Sequence, residues 1–133
     1  SIIREYDENL PAVSCEGVKI QQVLLNLFRN GAEAMQEAQA SQPTFTLYTN
    51  YDAEHKSVNI IVADNGPGIE EEVRKRVFEP FFTTKPVGVG TGLGLSVSYF
   101  IITENHDGVM TVESELGKGT RFFIRLPIGK VED

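Results

Sequence analysis

The chain has 133 residues, 41% of them hydrophobic, and a formal net charge of −7. This length predicts one domain with a real core, and the charge argues against non-specific binding to nucleic acid or to anionic lipid. The single cysteine, Cys15, excludes an internal disulfide and a cysteine metal cluster. Because the sequence starts at "SIIREYD" without a methionine, we expect it to be part of a longer protein.

The first forty residues predict a strand followed by a long helix. "SIIREYDENLPAV" favours a short strand, a turn at "ENLP" and a second extended piece. The helix is predicted from Gly17 to Gln39 and ends at "SQP". Apolar residues fall at two sets of helical spacing and predict a broad apolar face: Val18, Leu25 and Phe28 in the first set, Ile20, Val23, Leu24 and Leu27 in the second.

The rest of the chain predicts two hairpins separated by helices. "TFTLYTNYD" and "SVNIIVAD" favour an antiparallel hairpin, and "GVMTVESELGKGTRFFIRLPI" favours another. Between them, "EEEVRKRVF" indicates a short helix, "EPFFTTKPVGVGTG" an irregular loop, and "LGLSVSYFIITENH" a helix of mediocre propensity. Hairpins with segregated helices predict an α+β fold, a two-layer α/β sandwich with a mixed sheet.

Asn26 and Asn30 are the first candidates for chemistry. They lie four residues apart in the predicted helix and therefore share one face. They could simply be bonded to neighbouring backbone or face water. Alternatively, their amide oxygens could face a hard cation such as Mg²⁺, which prefers oxygen ligands and is usually shared with substrate phosphates.

The motif "DNGPGI" at residues 64–69 directly follows a predicted buried strand. An ordinary turn explains the asparagine, proline and glycines. The alternative is that Asp64 accepts a hydrogen bond from the exocyclic amine of adenine, while Gly66 and Gly68 let a flat ring approach the backbone.

Two further motifs precede the last predicted helix. "GVGTGLGL" at residues 88–95 places glycines before a helix, as phosphate-binding loops do, although it matches neither the P-loop nor the dinucleotide fingerprint. A flexible linker is the alternative. "FEPFFTTK" at residues 78–85 is either plain core or the hinge of a mobile lid, with Lys85 as a phosphate partner. For His55 and His106 we expect structural roles.

Taken in order, these motifs resemble those of one family. "QQVLLNLFRNGAEAM", "DNGPGI", "FEPFFTTK" and "GTGLGL" resemble the N, G1, F and G2 boxes of two-component sensor histidine kinases, and the last hairpin is also similar. The resemblance covers nearly all of residues 1–133. It implies the catalytic and ATP-binding domain, with the Bergerat (GHKL) ATPase fold of a mixed five-stranded sheet on about three helices, and no dimerisation domain or H-box.

The resemblance also implies roles for individual residues. Asn30 would hold Mg²⁺ with Asn26 beside it, Asp64 would bind the adenine amine, and Thr120 would support Asp64. A lid would span residues 80–91. The implied catalytic residues are Asn26, Asn30 and Lys85, and the implied nucleotide-binding residues are Asn26, Asn30, Asp64, Gly66, Gly68, Ile69, Phe82, Lys85, Gly90, Thr91, Gly92, Leu93, Gly94, Leu95 and Thr120.

The sequence departs from the family at two positions. Many of these kinases carry a basic residue and an aromatic residue just after the second asparagine, where this chain has Glu33 and Ala34. A phosphate contact and an adenine stack could therefore be absent, or could be supplied by Lys85 and Arg29.

The implied activity is transfer of the γ-phosphoryl group of Mg-ATP to a histidine on a separate dimerisation domain. The resemblance further implies a response regulator as an indirect partner, a cytoplasmic location, a monomeric domain, and neither nucleic-acid nor direct membrane contact. Three alternatives stay open: an ATPase clamp of the same fold, an anti-sigma-type serine kinase or regulatory nucleotide-binding module, and a degenerate domain that binds no nucleotide. Asn26 argues against the clamp, since related ATPases use a glutamate there as the base and an amide cannot replace it.

Overall fold

The computed structural model describes residues 1–12, 15–80, 82 and 94–128. Within these ranges the helices and strands follow the predicted order, although residues 10–12 form no second strand. The strands are β1 (Ile2–Glu5), β2 (Phe45–Asp52), β3 (Ser57–Asp64), β4 (Val109–Glu115) and β5 (Gly119–Pro127). The helices are α1 (Gly17–Glu37), α2 (Glu71–Arg74) and α3 (Gly94–Phe100), and α3 continues as a π-helical segment, Ile101–Asn105.

The strands form one mixed sheet in the order β1-β2-β3-β5-β4. β1 runs parallel to β2, and the other three pairs are antiparallel. β2, β3 and β5 are therefore the inner strands, with β3 at the centre. The register of β3 with β5 places Asp64, at the end of β3, opposite Thr120. This mixed five-stranded sheet with three α-helices confirms the predicted fold class.

Helices and sheet meet in a single core. Strand residues are buried at alternate positions, as expected for a sheet with one covered face, and the helices contribute Val23, Leu27, Ile101 and Ile102. The strand members of this core are Val62, Met110, Val112, Phe122, Ile124 and Leu126. Among the described residues, no helix combines the length and apolar character needed to cross a bilayer.

The core-facing side of α1 contains the second predicted apolar set and Phe28, since Ile20, Leu24 and Phe28 pack against the core around Val23 and Leu27. Its buried residues are Val23, Leu27, Gly31 and Met35, one stripe at spacings of four. The prediction that Val18 and Leu25 belong to the apolar face is wrong, because their side chains are 80% and 65% exposed. A sequence with two overlapping apolar sets does not tell which set meets the sheet, and the packing partners decide it.

The helix predicted for "LGLSVSYFIITENH" is confirmed in extent but changes geometry at Ile101. His106 follows the π-helical segment, and its Nδ1 lies 2.9 Å from the carbonyl oxygen of Ile101. Its Nε2 accepts a hydrogen bond from the backbone N–H of Glu16, at 2.9 Å. His106 thus ties the end of this segment to the start of α1, which supports the structural role expected for it.

Candidate functional site

The carboxylate of Asp64 is half-buried at the end of β3 and is held by backbone groups. The N–H of Gly66 donates to its Oδ1 at 2.9 Å. Burial raises the pKa of Asp64, and hydrogen bonds from the backbone N–H groups of Gly66 and Thr120 oppose that shift. The side chain is therefore a pre-oriented acceptor in a partly desolvated position, where a hydrogen bond from a ligand is stronger than in water.

The loop after Asp64 leaves no room for a side chain at Gly66 or at Gly68. A Cβ on Gly66 would lie 2.9 Å from Oδ1 of Asp64 and 3.1 Å from Cγ of Met35. Gly68 has φ of +80°, and a Cβ there would lie 2.3 Å from the carbonyl oxygen of Glu115. Both glycines are thus required by close approach, and Gly68 also by its left-handed backbone.

Ser114, on β4, joins this loop to the last hairpin, and sequence reasoning missed it. Its Oγ accepts from the N–H of Ile69 at 2.7 Å, donates to the carbonyl oxygen of Gly119 at 2.9 Å and lies 2.9 Å from Oγ1 of Thr120. One hydroxyl therefore connects three chain segments. A serine within a strand carries no local signal for such a role. Thr120 lies opposite Asp64 in the β3–β5 register, and its hydroxyl is bonded to that of Ser114.

The side-chain N–H₂ groups of the two asparagines of α1 both donate hydrogen bonds to protein oxygens. Nδ2 of Asn26 lies 3.1 Å from Oγ of Ser98 and 3.3 Å from the carbonyl oxygen of Gly94, both in α3. Nδ2 of Asn30 donates to the backbone carbonyl of Asn26 at 2.8 Å. Among the described residues, no hydrogen bond involves Oδ1 of either amide, so Oδ1 is the atom that can face a ligand. The donor set therefore fits a hard cation, which takes oxygen and not N–H₂.

Gly31 brings the two halves of the site together. A Cβ on this residue would lie 3.1 Å from Oδ2 of Asp64 and 2.6 Å from Cε1 of Phe45. The helix that carries Asn30 thus passes directly against the carboxylate, because the next residue has no side chain. The helix with the predicted metal ligands and the predicted adenine acceptor are consequently neighbours in the fold.

The remaining predicted residues are placed less centrally. Ile69 and Leu95 pack against the hydrophobic core, and Gly94 opens α3. The ring of Phe82 lies under the guanidinium of Arg76, 4.5 Å from its centroid. Lys85, Gly90, Thr91, Gly92 and Leu93 lie outside the described residues, as does most of the predicted lid at 80–91.

Two cavities border this region. One, of about 300 Å³, reaches Asp64 and is lined mainly by β5 and by the β4–β5 hairpin, including Ser114, Gly119 and Thr120. The other, of about 460 Å³, lies between the C-terminal half of α1 and the start of β2. Met35 and Phe45 line this second cavity, and the same two side chains close off Gly66 and Gly31. Of the predicted site residues, Asp64 and Thr120 line the smaller cavity, and Asn26 and Asn30 line neither of these two cavities.

A family model described as "Histidine kinase-, DNA gyrase B-, and HSP90-like ATPase" matches residues 15–130. Among curated proteins, the sensor protein TdiS of Thauera aromatica is 41% identical over 118 residues, which cover 89% of this chain and 21% of TdiS. The chain thus spans only about a fifth of the length of this relative.

Solved structures give the same family. The nucleotide-free catalytic domain of histidine kinase ThkA aligns with a TM-score of 0.80 and 32% identity, covering 96% of this chain and 79% of that one. Full-length ShkA in complex with AMPPNP aligns with a TM-score of 0.79 and 28% identity, covering 96% of this chain and 25% of that one.

Proposed function

Because the chain belongs to the family of histidine kinase-, DNA gyrase B- and HSP90-like ATPases, and to the type found in sensor histidine kinases, we propose that it binds Mg-ATP and donates the γ-phosphoryl group. The acceptor is a histidine on a separate dimerisation domain of the same parent protein. The domain itself is residues 1–133, with a lid at about residues 80–91. ShkA, a structural relative, is described in complex with the ATP analogue AMPPNP.

One observation carries the proposal: Gly31 lets the asparagine-bearing helix touch Asp64. A carboxylate that accepts from the backbone N–H of Gly66 and has room beside it suits the exocyclic amine of adenine. One residue before Gly31, Asn30 presents an amide oxygen. A ligand bound here would meet a base acceptor and a cation ligand together, and ATP with its metal has both features.

The metal proposal rests on the chemistry of the amides. Asn30 would hold Mg²⁺, with Asn26 one turn earlier on the same wall. When bound, the ion neutralises phosphate charge and helps to orient the transferred group. Asn26 meanwhile fixes the start of α3 to α1 through Ser98 and Gly94. Gly90 to Leu93 precede that helix, and together with Gly94, Leu95 and Lys85 they are proposed to surround the phosphates.

Neither histidine of this chain suits the acceptor role. Both ring nitrogens of His106 are engaged, one with Glu16 and one with Ile101. His55 lies in the β2–β3 turn, with Nδ1 2.7 Å from Oδ2 of Asp52. β3 leads from that turn to Asp64, and at about 3.3 Å per residue it separates them by roughly 23 Å. The acceptor histidine is therefore proposed to lie outside this chain.

The rival of the same fold is an ATPase clamp, which needs a general base to activate water. An amide cannot take a proton at neutral pH, so Asn26 is unsuited to that role. Glu33 would be the remaining candidate on α1. We accordingly propose slow hydrolysis and a transfer that waits for an oriented histidine, since orientation supplies much of the catalysis in such reactions.

We also propose an oligomeric state, a location and partners for the domain. It would be monomeric in isolation and cytoplasmic, with the dimerisation domain as its direct partner and a response regulator as an indirect one. Leu25, beside Asn26, and Phe100, on α3, are 65% and 55% exposed. They are apolar side chains that a partner helix could cover.

The experiment compares the isolated chain with a mixture that contains the dimerisation domain of its parent protein. With Mg-ATP alone, we expect no phosphohistidine on the chain and only slow release of phosphate. Addition of the dimerisation domain should give acid-labile phosphate on that domain, and Asn30→Ala should block it. Hydrolysis by the isolated chain near roughly 10 per second, a typical enzyme rate, would favour the ATPase clamp instead.

A further inference from the structure

Ser98 is a fully buried hydroxyl at the point where α3 meets α1. Its side chain has 0% exposure. Oγ donates to the carbonyl oxygen of Gly94 at 3.0 Å, and Nδ2 of Asn26 lies 3.1 Å from the same Oγ. Within the described part of the chain, the only side chain that forms a hydrogen bond with Ser98 is therefore that of Asn26.

The single hydroxyl proton decides which way the Asn26 amide points. Because Ser98 gives that proton to Gly94, its oxygen can only accept from Asn26. The carbonyl oxygen of Gly94, 3.3 Å from Nδ2, is also an acceptor. A flipped amide would set Oδ1 against the Gly94 carbonyl oxygen, and Ser98 could donate to Oδ1 only by giving up its own bond to that carbonyl, so the flip costs hydrogen bonds at a partly buried contact. Oδ1 is thus held at the opposite end, away from α3.

We propose that Ser98 is a positioning residue that fixes the orientation of the Asn26 amide and thereby supports metal-dependent nucleotide binding. The inference rests on the proposed function and deepens it, because it assigns a role to a residue outside the recognised motifs. A cation needs the amide oxygen, and a rotated amide would present N–H₂ to it. The partner that orients a metal-facing side chain typically contributes about ten- to a hundredfold to metal affinity.

The same helix offers a matched control. Thr103 makes the same type of bond as Ser98, since its Oγ1 donates to the carbonyl oxygen of Tyr99, four residues earlier, at 2.8 Å. It is not bonded to Asn26, whose partners in α3 are Ser98 and Gly94. Replacing either hydroxyl removes one bond to the helix backbone, but only Ser98→Ala removes an orienting contact on Asn26.

The test is calorimetric titration of AMPPNP into each variant, with saturating Mg²⁺ and again in EDTA. Ser98→Ala should lose about tenfold or more of the affinity that Mg²⁺ adds, with the affinity in EDTA unchanged. Thr103→Val should match the wild type in both conditions. Equal Mg²⁺-dependent gains in Ser98→Ala and the wild type would overturn the inference while leaving the proposed function in place. A wild type that binds no AMPPNP would overturn both.

A double-mutant cycle separates orientation from general damage. In an Asn26→Ala background, Ser98→Ala should cause no further loss of Mg²⁺-dependent affinity. A further loss would show that Ser98 acts independently of Asn26 and would overturn the proposal. If Ser98→Ala does not fold, Ser98→Cys keeps most of the volume with a weak donor and acceptor. In addition, the side-chain amide protons of Asn26 should exchange faster with solvent in either variant, and unchanged exchange would count against the proposal.

Discussion

The two sides of the candidate site are built differently. On the base side, around Asp64 and the loop to Ile69, backbone N–H groups, glycines without room for a Cβ and the Ser114 hydroxyl fix the geometry. On the metal side, Asn26 and Asn30 are held by a few side-chain hydrogen bonds. The base side is thus part of the fold itself, whereas the metal side depends on the orientation of single amides. Changes to the backbone and glycine framework of the base side should lower stability, whereas replacing Asp64, Asn26 or Asn30 should mainly alter ligand binding.

The largest effect is expected at Gly68, and Gly117 provides its control. Both have a left-handed backbone, with φ of +80° and +81°, but only at Gly68 would a Cβ collide with a carbonyl, that of Glu115. Gly117→Ala should cost about 1–2 kcal/mol of backbone strain. Gly68→Ala should cost roughly 3 kcal/mol or more, since overpacking adds to that strain. Chemical denaturation measures both, and equal losses would mean that the base side is not tightly interlocked.

Asp64→Asn should separate binding from stability. Loss of a charge-assisted hydrogen bond should weaken AMPPNP binding by about 1.5–3 kcal/mol, or roughly ten- to a hundredfold. Without nucleotide, the variant should be at least as stable as the wild type at pH 7, because the raised pKa of Asp64 means that folding disfavours its ionised form.

The sign of the pH dependence follows from that raised pKa. In the wild type, the ionised carboxylate of Asp64 lowers the free energy of unfolding by its full amount at a pH above its pKa in the folded state. This destabilisation disappears as the pH falls below the ordinary aspartate pKa of about 4. The advantage of Asp64→Asn in the free energy of unfolding should therefore shrink from pH 7 to pH 4. If the stability advantage of Asp64→Asn over the wild type grew as the pH fell, the conclusion that burial raises the pKa of Asp64 would be wrong.

Ser114→Ala should destabilise the domain by about 1–3 kcal/mol, because the N–H of Ile69 loses its acceptor in a partly buried place. Ser57→Ala is the control, since Ser57 is buried and its hydroxyl donates to a single backbone carbonyl, that of His55. Thermal unfolding of the two variants compares them. A smaller loss for Ser114→Ala than for Ser57→Ala would mean that the hydroxyl does not link the three segments.

The smallest effect on stability is expected for Asn30→Ala. The one side-chain hydrogen bond that it makes within the described part of the chain, to the carbonyl of Asn26, lies in a helix turn that keeps its backbone bonds. We expect a loss of about 1 kcal/mol or less. A loss as large as that of Gly68→Ala, measured by denaturant titration, would remove the contrast between the two sides.

The sequence predicts the base side better than the metal side. Asp64, Gly66 and Gly68 follow a strand with a recognisable turn, so their placement could be anticipated. Which apolar residues of α1 are buried could not be anticipated, because Val18 and Leu25 fit helical spacing as well as Val23 and Leu27 do. Ser98 and Ser114 were missed because a hydroxyl that bonds distant segments leaves no mark in local sequence. The π-helical geometry after Phe100 likewise depends on contacts such as that of His106.

The most direct test of the two-sided site is calorimetry with two ligands, ADP in EDTA and Mg-AMPPNP, on the wild type, Asp64→Asn and Asn30→Ala. A preformed base side and a separate metal side predict that Asp64→Asn weakens both ligands, while Asn30→Ala weakens only Mg-AMPPNP. If Asn30→Ala weakened metal-free ADP as strongly as Asp64→Asn does, or if Asp64→Asn left ADP binding unchanged, the assignment of base and metal to these two sides would be wrong.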